Sequence, residues 1–234
     1  MDAAAMETWF EILQDKYNAP YFTQTELSEL LTDAQIDYVM EFVTPTEGAP
    51  LGKLEKTIYD AVALQPLIKK VTVTASSGGF ITNDSIETAV DTLETLTPNP
   101  IVILPLRVRP KNTGITKAAR RVREMEIDEL LDDTLSGLDA GWANHKERIE
   151  AVYLLTNDSS NNLGIQLEPS ASFNAASTDV VVLRMPIPIQ VQATAVDCEL
   201  PDFTHRKIVA KAMSATGIIT EHDALLLMEQ KTNG

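Results

Sequence analysis

The chain has 234 residues, 44% of them hydrophobic and 23% charged, with 34 acids against 19 basic residues and a formal net charge of -15. That length and apolar content suffice for one large or two small cores, and the charged fraction excludes wholesale disorder. So acidic a surface disfavours gripping phosphate backbones, and a single cysteine excludes an internal disulfide framework.

The opening Met1-Asp2-Ala3 puts an acid where a secretory leader carries basic charge, and no apolar run approaches the roughly 20 residues of a bilayer span. A soluble protein made in a cytoplasm and held by no membrane is expected. Trp9, Phe10, Leu13 and Tyr17 recur at helical spacing until Asn18-Ala19-Pro20 ends the run. Thr23-Gln24-Thr25-Glu26 then has the form of a capping box, in which the threonine hydroxyl and the glutamate carboxylate each take one free backbone amide. The helix that follows carries two apolar stripes. Leu27, Leu30, Leu31, Ala34 and Tyr38 form the first, and Ile36, Val39, Met40 and Val43 form the second on another face. Both faces need cover, either from two core layers or from one layer and a neighbouring subunit.

Thr44 to Pro50 is a breaker-rich linker, and a third helix is expected from Lys53 to Gln65. Ile68 to Ala75 has the β-branched content of a strand, turned by Ser76-Ser77-Gly78-Gly79. Asn83 is placed to cap a helix containing Ile86, Val90, Leu93 and Leu96. Ile101 to Arg109 reads as a strand whose Pro105 demands an edge or a bulge. Thr116 to Asp133 has strong helix propensity, although its basic half precedes its acidic half, against the helix dipole. Arg148 to Leu155, Leu163 to Glu168 and Asp179 to Ile189 read as strands, with Asn157 to Asn162 a turn, and helices at about 202–215 and 220–230 close the chain. The pattern is α+β: helical N- and C-terminal segments, 1–66 and 197–234, flank a β-rich middle, 67–196, with one or two inserted helices.

No motif announces catalysis. Ser76 to Gly79 lacks the Gly-Lys-Ser/Thr that would complete a phosphate cradle. Asp158, Ser160 and Asn162 begin a calcium-loop pattern that Leu163 and Pro169 break. Cys198 and His205 are the most suggestive pair. Asp202 is placed to cap the closing helix, on which His205, Ile208, Val209 and Ala212 share one face opposite Arg206, Lys207, Ala210, Lys211 and Ser214. His205 thus points into packing, bonded to a backbone carbonyl or a nearby acid, and nothing in the spacing holds Cys198 against it. No catalytic residue, cofactor or metal is assigned. An enzyme with a site built from scattered acids such as Asp158 and Glu168 stays as an alternative.

The order of segments resembles a known group. Tyr17-Asn18-Ala19-Pro20-Tyr21-Phe22 leading into the helix with Ala34 to Val39 is similar to virion proteins of crAss-like and related Bacteroidetes-infecting tailed phages. A long helix with Ala119 to Glu124 leading to Ile149 to Leu155, the Val180–Pro186 strand with its Arg-x-Pro ending, and Glu199-Leu200-Pro201 before a His-x-x-Ile-Val-x-x-Ala helix are similar too. The closing stretch also resembles the last helix of podovirus head-to-tail adaptor proteins. The resemblance implies a non-enzymatic neck ring or head-to-tail connector subunit in the virion. Its partners would be copies of itself in a closed, twelve-fold ring, the portal protein, other neck or tail proteins, and DNA passing through the lumen without specific binding. Ile36, Val39, Met40 and Val43 are then expected at the subunit interface. Arg120, Arg121 and Arg123 would pair there with acids such as Asp128, Asp132 and Asp133 of a neighbour. A capsid-associated adaptor elsewhere in the particle is the second alternative.

Overall fold

The computed structural model describes residues 2–17, 21–43, 58, 61–76, 78–94, 101–111, 118–123, 126, 151–157, 163–168, 173, 176–192, 195–217, 220–221, 223–225 and 228. The fold is α+β, with helices towards both ends and strands between them. Space divides the chain differently from sequence. One compact unit comprises Met1–Gly48, Asp60–Leu67 and Met185–Gly234, and the other comprises Ala49–Tyr59 and Ile68–Arg184. The stretch 185–196, expected with the β-rich middle, therefore belongs to the helical unit.

In the helical unit, α1 (Ala3–Tyr17) starts where the Asp2 carboxylate accepts the Ala5 amide at 2.8 Å. It buries Met6, Phe10 and Leu13. The expected capping box opens α2 (Gln24–Val43): the Thr23 amide donates to Glu26 at 2.8 Å, and the Glu26 amide donates to the Thr23 hydroxyl at 3.3 Å. That Thr23 amide, with the Thr23 hydroxyl, holds the Glu26 carboxyl below its usual value. Most of the third helix expected from Lys53 to Gln65 lies outside the described residues, but its end differs: Val62–Leu67, with Pro66 inside, is a tight 3₁₀ segment. The closing helix of the described chain runs from Asp202 to Ala215, as expected, and packs against α1 and α2. Of the segment after it, 221, 223–225 and 228 are helical.

The β unit holds two sheets. β1 (Ile68–Thr74), β3 (Val102–Lys111) and β7 (Ser177–Arg184) form an antiparallel sheet in the order β1-β7-β3. β2 (Phe80–Thr82), β4 (Arg120–Arg121), β5 (Val152–Asn157) and β6 (Leu163–Glu168) form the second, in the order β2-β6-β5-β4. Pro105 behaves as its missing N–H requires: β3 is an edge strand of its sheet and its register slips on both sides of Leu104-Pro105. The extended run expected from Asp179 to Ile189 stops pairing at Arg184. The helix expected behind an Asn83 cap is α3 (Asn83–Glu94), which buries Ile86 and Val90 but leaves Leu93 at the surface. Its cap is Thr82, whose hydroxyl accepts the Ser85 amide at 3.2 Å, and not Asn83, which is already inside the helix. Val71, Val108, Ile165, Val180 and these α3 residues share one core across both sheets.

Within the helix expected from Thr116 to Asp133, the largest departure is at residues 118–123. Ala119 to Val122 is extended, not helical. The Ala119 amide donates to the Val108 carbonyl at 2.8 Å, Arg120 to Ala151 at 2.9 Å and Val122 to Tyr153 at 2.9 Å. Val122 packs with Val152 and Leu154. Helix propensity is a weak prior, and three backbone bonds to distant strands outweigh it. The helix read into Ala119–Glu124 as part of the phage resemblance is corrected with it. Glu126 is helical, as expected of this segment, and its carboxylate accepts the Arg123 amide at 3.1 Å.

Candidate assembly surfaces

The second apolar stripe of α2 does not form a uniform free face. Val39 has no exposed surface, Ile36 and Val43 are half-buried, and Met40 is 39% exposed. Val39 is thus core, and Met40 is the one member of the set that presents much surface. The opposite edge of α2 does something its apolar pattern never signalled. Residues 187–191 run alongside it; Gln190 pairs with Val196 in an antiparallel bridge, and helix side chains satisfy much of the remaining backbone. The Ile189 amide donates to the Thr32 hydroxyl at 3.0 Å, the Val191 amide to the Ser28 hydroxyl at 3.2 Å, and the Gln35 side-chain amide donates to the Ile187 carbonyl at 3.1 Å. Glu199 completes the ladder by accepting the Ile187 amide at 2.7 Å. Buried backbone groups need partners, and here side chains one turn apart supply them. Beside this strap lies an open groove of about 470 Å³, with Glu29 and Asp33 on the helix side and Ile189 and Gln190 on the other.

Glu26, Glu29, Asp33, Asp37 and Glu41 recur three or four residues apart along α2, and all five are exposed. Glu41 reaches basic partners in the closing helix: Lys207 Nζ lies 2.9 Å and Lys211 Nζ 2.6 Å from its carboxylate. Lys207 also sits 5.1 Å over the Tyr38 ring, and Arg206 sits 5.6 Å over Trp9. The basic side of the closing helix therefore covers α1 and α2, and Ala210, expected among those polar residues, is fully buried.

The Cys198–His205 pair has the structural role expected of it. His205 is buried and its Nε2 donates to the Leu200 carbonyl at 2.7 Å. Its Nδ1 has no hydrogen-bond partner and lies 3.9 Å from an Asp202 oxygen, so neither nitrogen serves Cys198. Burial pushes the Cys198 thiol up to about 12, far from a thiolate nucleophile. Asp202 is not the cap. Pro201 occupies that position with extended dihedrals, and Asp202 is the first helical residue, where its charge favours the helix N-terminus.

In the β unit, Asp179 ties one sheet together. It is 6% exposed on the central strand, and Lys70 of β1 and Lys111 of β3 approach its two oxygens at 2.9 and 2.6 Å. Thr72 donates a further bond at 2.8 Å. The Lys111 ammonium, ahead of the others, holds the Asp179 carboxyl well below the ordinary carboxylate range.

A second group of basic residues in this unit lies on and beside β3 and β4. Every charged residue from Ile101 to Arg123 is basic. Arg107, Arg120 and Arg123 are exposed and Arg121 is half-buried. The antiparallel bridge between Val108 and Ala119 sets Arg107 opposite Arg120 one step out. Asp128, Asp132 and Asp133, the acids expected to pair with these arginines, lie outside the described residues, as do Asp158, Ser160 and Asn162. Glu168, the other acid of the enzyme alternative, accepts a bond from Gln166 at 3.3 Å. Gly78 and Gly79 have φ of 90° and 76°, and the Gly79 amide closes onto the Ser76 carbonyl at 3.1 Å. Among the described residues no helix is long and apolar enough to cross a membrane.

Neither a scan against protein-family models nor a search of curated proteins finds a match for this chain.

Proposed function

We propose that this chain is a non-enzymatic structural subunit of a tailed-phage neck, a head-to-tail connector that forms a closed ring with copies of itself between portal and tail. The observation that carries the reading is the segregation of its charge. Lys16 is the sole basic residue in 1–43, whereas every charged residue from Ile101 to Arg123 is basic. A subunit with an acidic face and a basic face is complementary to itself head to tail, which is the polarity a cyclic, heterologous assembly uses. The net charge of -15 suits a conduit past which a duplex slides without adhering. The resemblance to phage neck proteins supports the same reading through the capping-box helix, the strand before Pro186 and the Glu199–Pro201 entry to the closing helix. It has lost the helix at Ala119–Glu124.

Mass spectrometry of purified particles, together with pull-down of a portal protein, tests it. The protein is expected in virions in multiple copies per portal vertex. Its absence from particles overturns the proposal.

A further inference from the structure

The arginine strip on β3 and β4 poses a physical problem that a neighbour solves. Arg107 and Arg120 are exposed, lie on the same side of the isolated Val108–Ala119 bridge, and belong to a stretch, Ile101 to Arg123, in which every charged residue is basic. Like charges directly opposite on neighbouring strands destabilise the pair unless an anion lies over them. On a surface facing passing DNA, such a strip would hold the duplex. We infer that the strip is a docking surface for a second copy of this chain, and that its occupant is the acidic edge of α2 at Glu29 and Asp33.

The two surfaces match in charge and in spacing. Opposed residues on antiparallel strands hold their Cβ atoms about 5 Å apart. Glu29 and Asp33, four residues apart on a helix, present carboxylates about 6 Å apart on one face. Both acids are exposed, and both stand on the wall of the open groove beside the strap. Arginine is suited to the role, because its planar fork takes a carboxylate through two parallel bonds and stays charged throughout the physiological range. Arg123, also exposed, extends the strip just past the end of β4. The contact is heterologous, since the strip and the stripe are different patches, so each copy keeps one of each for the next.

This inference rests on the ring reading, but its test is separate. In Arg107→Glu/Arg120→Glu both faces become acidic, and in Glu29→Lys/Asp33→Lys both become basic. Sedimentation velocity of the wild-type chain at low salt is expected to show self-association that weakens as ionic strength passes from about 50 mM to about 500 mM. Each variant alone is expected to associate at least about tenfold more weakly. An equimolar mixture of the two is expected to restore a dimer, because an acidic stripe then meets an intact arginine strip. Circular dichroism confirms that each variant is folded, as substitutions of exposed side chains should be. Variants that associate like the wild type overturn the inference and leave the ring reading standing. So does a mixture that stays monomeric while the wild type associates, or a wild type monomeric at low salt. Retardation of duplex DNA by the wild type, abolished in the arginine variant, assigns the strip to phosphate and overturns it as well. Failure of the ring reading shows instead as absence from particles.

Discussion

The two compact units satisfy extended backbone in opposite ways. In the β unit, strands pair with strands: β7 lies between β1 and β3, paired in unbroken register with β1 from Leu183 to Ser177 and, with slips around Pro105, with β3. Side chains there are released for packing and for the charged tie at Asp179. In the helical unit, the strap at 187–191 has a helix for a neighbour, and a helix has no free backbone edge. Thr32, Ser28 and Gln35 must therefore reach out and do what a second strand would have done. Polar residues on a helix face that looks solvated become structural once an extended segment lies across them.

Three substitutions test that contrast. The largest effect is expected at Gly164, where β6 passes β2. A Cβ there would press into the Ile81 carbonyl oxygen and the Phe80 ring, and the carbonyl is backbone that cannot move aside alone. Gly164→Ala should cost about 3 kcal/mol. Hydrogen exchange at β2 and β6 reports the loss, and unchanged protection would show that the strands separate easily.

Thr32→Val comes next. It keeps the shape of the side chain but removes the oxygen that accepts the Ile189 amide. Leaving that group without a partner should cost about 2 kcal/mol, and the Ile189 amide should exchange far faster while the β unit is unaffected. Equal exchange in variant and wild type would mean the ladder does not hold the strap.

Asp179→Asn is the smallest at neutral pH, about 1 kcal/mol, because the two lysines are half-exposed and their attraction is screened. Its clearer signature is in pH. The carboxyl value is depressed in the folded chain, so its contribution is complete above the unfolded value of about 3.9 and is lost as pH falls towards the folded value. Wild-type stability should therefore drop more steeply than that of the variant below about pH 4. Parallel acid-unfolding curves would remove Asp179 from the account.

Signals that act within a turn or a strand were legible. Thr23 and Glu26 capped α2 as their spacing required, Leu163–Glu168 formed a strand over its expected length, and Pro105 took an edge with a slipped register. His205 found a backbone carbonyl, which its place on the packed face of the closing helix foretold. Capping was less legible where two polar residues stood side by side: Thr82 displaced Asn83 and Pro201 displaced Asp202, since one residue of shift decides which side chain stands outside the first turn.

By itself the sequence determined the α+β class, the main helices, whose Phe10, Leu13, Leu27, Leu31, Ala34 and Tyr38 proved to be core, and the acidic character of the surface. These depend on periodicity, local caps and composition, which are properties of neighbouring residues. Only the tertiary structure decided that Ala119 to Val122 is a strand, that Val39 is core, and that Thr32 and Ser28 hold a strap. It also brought Arg107 opposite Arg120. In each case the deciding partner lies far along the chain, and no local pattern encodes which distant backbone will arrive to offer a hydrogen bond or to cover an apolar face.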